Sequence, residues 1–174
     1  VATGIPHRVA MYSYGFANYD REKLKLDLAK IIESATNVFG QNPNDEYLFI
    51  IHNVSEGGGG LEHMNSTTLQ VNRSTYQGAA YLDFLSLVAH EYFHLWNVKR
   101  LRPVALGPFN YDAENYTSNL WIAEGFTAYY DNLFVRRAGF YSPDQYLGML
   151  ASGLSTVANQ PGSLEQSAHE ASFD

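Results

Sequence analysis

The stretch from Gln77 to about Val98 constrains this chain most. Tyr81, Leu85, Val88, Tyr92 and Trp96 recur there at steps of three and four, which predicts a helix with one buried face. That helix carries His90-Glu91-Tyr92-Phe93-His94. Helical residues four apart sit about 40° apart around the axis and one turn along it, so both imidazoles can reach a single ion. Glu91 lies on an adjacent part of the same face, too far back to ligate easily but placed to take a proton from a water near the ion. The plain alternative is a helix with two surface histidines. A third ligand elsewhere in the chain decides between the two.

The chain has no cysteine, so a metal site must be built from His, Asp and Glu. A catalytic zinc takes three protein ligands and keeps one position open. Glu124 fits the third place. It interrupts the apolar and aromatic run Leu120-Trp121-Ile122-Ala123-Glu124-Gly125-Phe126-Thr127-Ala128-Tyr129-Tyr130, where a buried carboxylate is costly unless paired or bound to metal. Asp112 and Glu114 are alternatives in a less regular stretch. Asp131 follows Glu124 by seven residues, which returns it to within about 20° of the same helical face. Metal-binding histidines commonly donate their second ring N–H to a carboxylate, and Asp131 is the expected acceptor. His7, His52, His63 and His169 have no ligand spacing and read as structural or exposed.

Around this centre the pattern is α+β. Arg8 to Gly15 and Tyr47 to Val54 read as strands, with a shorter one at Thr67 to Val71. Arg21 to Phe39 is helical, with Leu24, Leu28, Ile31, Ile32 and Ala35 on one face and a stop at Gly40. Further helices are expected over Tyr116 to Arg137 and Pro143 to Val157, after an irregular connection marked by Pro103 and Pro108. The sheet-bearing part thus runs to about residue 75 and the helical part from about 76 to 174, forming a single domain. Gly57 to Gly60 reads as a tight or flexible loop whose bare backbone lets a peptide approach, with an edge strand after it able to pair with that peptide.

Several text segments together resemble the glycyl aminopeptidase family of gluzincin metallopeptidases, and more distantly aminopeptidase N and thermolysin. They are Gly58-Gly59-Gly60-Leu61-Glu62-His63, His90 to Pro103, Glu114-Asn115-Tyr116-Thr117 and Trp121 to Tyr130. The resemblance implies a thermolysin-like zincin core, one Zn2+ held by His90, His94 and Glu124, and release of small N-terminal residues such as Gly or Ala. It implies that Glu62, with Gly59 and Gly60 beside it, captures the substrate's free α-ammonium. His63 stands where aminopeptidase N has Asn, and Asp131 where it has the longer Glu. Twenty-nine residues separate His94 from Glu124, more than in aminopeptidase N, with the extra length around Pro103 to Tyr116. The family's oxyanion-binding tyrosine is expected beyond Asp174, with Tyr111 and Tyr116 as substitutes, and a PDZ domain often follows the catalytic part.

A formal charge of -7 with no basic cluster argues against nucleic acid as a partner. The apolar runs are too short for a membrane span, so a soluble protein is expected, with the compartment open. The absent initiator Met and the ending Ser172-Phe173-Asp174 lead us to expect a piece of a longer protein. Lys99, Arg100 and Arg102 could meet a peptide carboxylate, but read rather as a solvated helix end near the negative pole of the dipole. Two rivals stand beside the aminopeptidase: a zinc endopeptidase, and a non-enzymatic peptide-binding module with a structural zinc.

Overall fold

Asp20 opens the first helix, its side chain accepting from the Lys23 backbone N–H, and Gly40 closes it at φ 81°. These caps bound α1, Arg21–Phe39, in a computed structural model that describes residues 1–173. Leu24, Leu28, Ile31, Ile32 and Ala35 form its buried face. β1, His7–Ser13, and β2, Tyr47–Val54, flank α1 in sequence and pair in parallel, a geometry that requires such a crossover. β2 alternates strictly, sending Tyr47, Phe49, Ile51 and Asn53 inward. β3, Gly59–Glu62, and β4, Ser66–Asn72, complete a four-stranded sheet in the order β1-β2-β4-β3. β4 runs parallel to β2, and β3 pairs antiparallel with β4 at the edge.

The helices that follow are α2, Gly78–Phe93; α3, Leu120–Arg137; α4, Pro143–Ala158; and the short α5, Ala168–Ala171. Their concentration after residue 77, behind an N-terminal sheet, is the expected α+β arrangement. α2 packs on α1, α3 and the β3–β4 side of the sheet. Tyr92 enters the sheet-side core, its ring 4.8 Å from Tyr47 and 5.7 Å from Phe49, while Phe93 turns to Tyr130 and Phe134 of α3. The two apolar residues inside the histidine motif thereby clamp α2 on both sides. His90 and His94 are left pointing along the remaining face.

Three boundaries near the histidine motif differ from the sequence reading, beside shifts of one or two residues at the ends of β1 and β4. The helix expected to reach Val98 ends at Phe93, with His94 as its C-cap; Leu95 and Trp96 keep the apolar rhythm because they are buried, but in a turn. Gly59 and Gly60 belong to strand β3 instead of the loop. The third long helix begins at Leu120, four residues after Tyr116. Among the described residues no helix is long and apolar enough to cross a membrane.

Candidate metal centre

His90, from the last turn of α2, and His94, at its cap, hold their rings 4.7 Å apart and nearly perpendicular. Each ring is fixed through Nδ1. His90 Nδ1 lies 3.1 Å from Asp131 Oδ2 on α3, and His94 Nδ1 donates to the Asn97 carbonyl at 2.9 Å. Both Nε2 atoms are thereby turned to one point. There the Glu124 Oε2 atom stands 3.2 Å from His90 Nε2 and 3.6 Å from His94 Nε2. Ligands about 2.0–2.1 Å from a tetrahedral ion are separated by roughly 3.3 Å, so this spacing fits a zinc-sized cation.

Glu124 corrects one expectation. Its side chain is 56% exposed, and Leu120, Trp121 and Ala128 around it are exposed as well. The apolar run containing it is the open face of α3; the helix buries Ala123, Thr127, Asp131, Phe134 and Val135 instead. Glu124 faces the histidines from the solvent side. Asp131, by contrast, is buried, held also by the Asn132 side-chain amide at 2.6 Å.

Charge is shared unevenly across this cluster. Burial opposes protonation of His90, but hydrogen bonds to Asp131 and Glu124 outweigh it and push its pKa up to about 10. The same contacts from His90 and His94 hold the Glu124 carboxyl well below the usual range. Burial pushes the Asp131 carboxyl up, against the pull of His90. Glu91 is raised chiefly by burial, partly countered by the two histidines. A residue that takes up a proton near neutral pH needs such a shift.

Glu91 is 5% exposed, and its Oε2 atom has no hydrogen-bond partner among the described residues. β3 lies directly over it. A Cβ at Gly60 would come within 2.4 Å of the Glu91 carboxyl carbon, and Gly59 holds φ at 121°, where side chains are strained. Glu62, on the same strand, shares with Glu91 and His94 a second group of ligand-type atoms within 4.8 Å of one another. His90, Glu91, His94, Glu124, Asp131, Gly59, Gly60 and Glu62 are thus brought to one place. Tyr111 and Tyr116 are exposed on the connection before α3, with Tyr116 bonded to Glu114.

Two participants carry no site signal in the sequence. Asn97 donates its side-chain amide to the Ile122 and Ala123 carbonyls and to Thr127 Oγ1, at 2.9–3.2 Å, while its own carbonyl holds His94. It holds His94 by a backbone carbonyl, and its amide meets chiefly backbone carbonyls 25 and 26 residues away, so no spacing of residue types points to it. Lys99 is not solvated: its ammonium lies 3.0 Å from Glu62, with a side chain only 15% exposed. Arg100 also turns inward, to the Leu95 carbonyl and the Asn44 side chain.

Imidazole and carboxylate ligands converging beside a buried carboxylate, on an α+β frame, are what metal-dependent hydrolases use. Residues 83–174 match the model of the M61 glycyl aminopeptidases, and the chain belongs to that family. The crystal structure of an aminopeptidase N family protein from Idiomarina loihiensis superposes with a TM-score of 0.90 at 39% identity. That match covers 99% of this chain and 30% of the other, so the chain spans under a third of that protein. No curated protein sequence matches.

Proposed function

We propose that this domain hydrolyses peptide bonds as a zinc-dependent aminopeptidase of gluzincin type, acting on peptides with a free N-terminus and a small first residue such as Gly or Ala. One observation carries the reading: Glu124 and two Nε2 atoms converge at ligand spacing next to the unpartnered oxygen of Glu91. His90, His94 and Glu124 would hold one Zn2+, which when bound polarises a carbonyl and acidifies water. Asp131 and the Asn97 carbonyl orient the two rings. Glu91 accepts the proton of the attacking water at Oε2 and passes it to the leaving amine. Gly59 and Gly60 let β3 itself lie close over Glu91, and the outer edge of β3 offers the substrate backbone strand-type hydrogen bonds beside it. Glu62 receives the α-ammonium. Residues 1–174 act as one catalytic domain, in keeping with the resemblance to proteins with further domains.

Metal analysis together with hydrolysis of glycyl and alanyl p-nitroanilides tests this. Activity should vanish with chelator and return with zinc, and Glu91→Gln should keep the metal while losing at least about 100-fold in kcat. A Glu91→Gln variant with normal turnover would overturn the role of Glu91, and zinc binding with no hydrolysis by the unsubstituted domain would leave the binding-module reading. The endopeptidase reading has one observation in its favour, the ammonium of Lys99 already at Glu62. Equal cleavage of free and N-acetylated dipeptide amides would select it.

A further inference from the structure

Glu62 lies two residues beyond Gly60 on β3, and alternate strand residues share a face, so its carboxylate joins Glu91 and His94. A cation is already on it. Lys99 Nζ stands 3.0 Å from Glu62 Oε1, with the side chains only 15% and 20% exposed. The chain reverses after His94 to bring it there: Val98 takes φ 103°, and the Lys99 N–H donates to the His94 carbonyl at 3.0 Å. The far side is closed by Phe109, whose ring centre lies 5.2 Å from the Lys99 ammonium and 4.9 Å from the Arg102 guanidinium. Lys99 therefore joins the β3 edge, the turn after the second histidine and the connection before α3.

We propose that Lys99 is a positioning residue that determines specificity: it fixes Glu62 through one oxygen and competes there with the α-ammonium of a peptide. This rests on the reading of Glu62 as the receptor for that ammonium. A carboxylate has two oxygens and about four lone-pair sites, so engagement of Oε1 leaves Oε2 for the incoming amine. Two cations on one carboxylate repel, more strongly in a partly enclosed site than in water. The pair is also neutral as a whole, which removes most of the long-range pull that a lone Glu62 would exert. Free amines bind this end of the cleft more weakly than the carboxylate alone would allow. A released amino acid carries the same ammonium and leaves faster for the same reason.

The test uses the zinc-loaded enzyme, alanine p-nitroanilide as substrate, and alaninamide and N-acetylalaninamide as competing inhibitors. Lys99→Met, similar in length but uncharged, should lower KM for the substrate and Ki for alaninamide by about tenfold. The Ki of N-acetylalaninamide should not move, and Lys99→Arg, which keeps a cation, should restore the original ratio of the two inhibition constants. A merely structural lysine would shift both inhibitors together. Unchanged or weaker binding of alaninamide by Lys99→Met overturns the proposal. Should that variant fail to fold, Lys99→Gln keeps a donor without the charge and faces the same criterion. Glu62→Gln separates the two levels. If it leaves the ratio unchanged, the ammonium-receptor reading falls and the role of Lys99 with it. If it weakens alaninamide binding while Lys99→Met fails to strengthen it, only the role of Lys99 falls.

Discussion

A single methyl group at position 60 would collide with Glu91, the proposed general base. Its carbon would sit 2.4 Å from the Glu91 carboxyl carbon and 2.5 Å from Oε1. Glu91 is enclosed and has little room to swing aside, so Gly60→Ala should displace the carboxylate while leaving the three ligands alone. A misplacement of about 1 Å costs on the order of 100-fold in rate, and kcat should fall by about that factor with zinc content unchanged. Normal kcat in that variant would show that β3 yields instead. Asp131 stands one hydrogen bond behind His90, a proposed ligand. Asp131→Ala removes the acceptor that orients His90 and should weaken zinc binding by about 10- to 100-fold in a chelator competition, without unfolding the domain. Glu124→Ala removes a proposed ligand outright, and its loss of affinity should be the greater; zinc affinity like that of the unsubstituted protein would dismiss Glu124 as a ligand.

The helix pair α2 and α3 is the element on which this geometry depends, and Asn97 is its pin. Its side-chain amide reaches two carbonyls and a hydroxyl of α3 in the turn that contains Ala123, next to Glu124, while its carbonyl holds His94. Asn97→Ala should cost about 1–3 kcal/mol of stability by orphaning part of that joint, and should weaken zinc binding although no ligand is touched. Thermal melts and metal titration measure both; a loss of stability with full zinc affinity would make Asn97 a structural residue only. The joint is not legible in the sequence, for a physical reason. Apolar periodicity reports burial, and Leu95 and Trp96 are buried whether the backbone is a helix or a turn. What ends α2 is a reversal with Val98 at φ 103°, a conformation that a β-branched residue does not advertise. α1 is easier, because Asp20 and Gly40 announce their caps by residue type. The same limit applies to Glu124: the apolar run around it predicts burial, whereas the aromatic residues there form an exposed face. The positions at ligand spacing are legible, since a four-residue step and a seven-residue step on helices fix directions without reference to burial. Lys99 and Glu62, 37 positions apart in the chain, meet only through tertiary folding.

At the scale of the whole molecule, the sheet, the α2–α3 pair and the charge cluster between them form one thermodynamic system, and its pH dependence follows from what occupies the cluster. In protein stripped of metal, His90 has its pKa pushed up to about 10, against about 6.5 in an unfolded chain. The folded state therefore binds this proton more tightly, and the stability it contributes is fully present below about pH 6.5 and lost as pH rises through about 10. Glu124 has the opposite sign. Its carboxyl is held below its unfolded value near 4.3, so its contribution is present above that pH and is lost as the solution is acidified through the folded value. The exposure of Glu124 to solvent reduces the second effect relative to the first. A metal on His90 Nε2 must expel the proton, which links loading to pH. Between about pH 7 and pH 10, zinc dissociation constants from chelator competition should fall by about tenfold per unit. Over the same range the melting temperature of stripped protein should decline, while that of loaded protein should decline less, so the gap between them widens. His90 is the group whose proton and metal exclude one another, so Asp131→Asn, which withdraws the charge that holds that proton, should flatten the slope. A gap independent of pH in the unsubstituted protein would mean that the ion sits elsewhere than on His90.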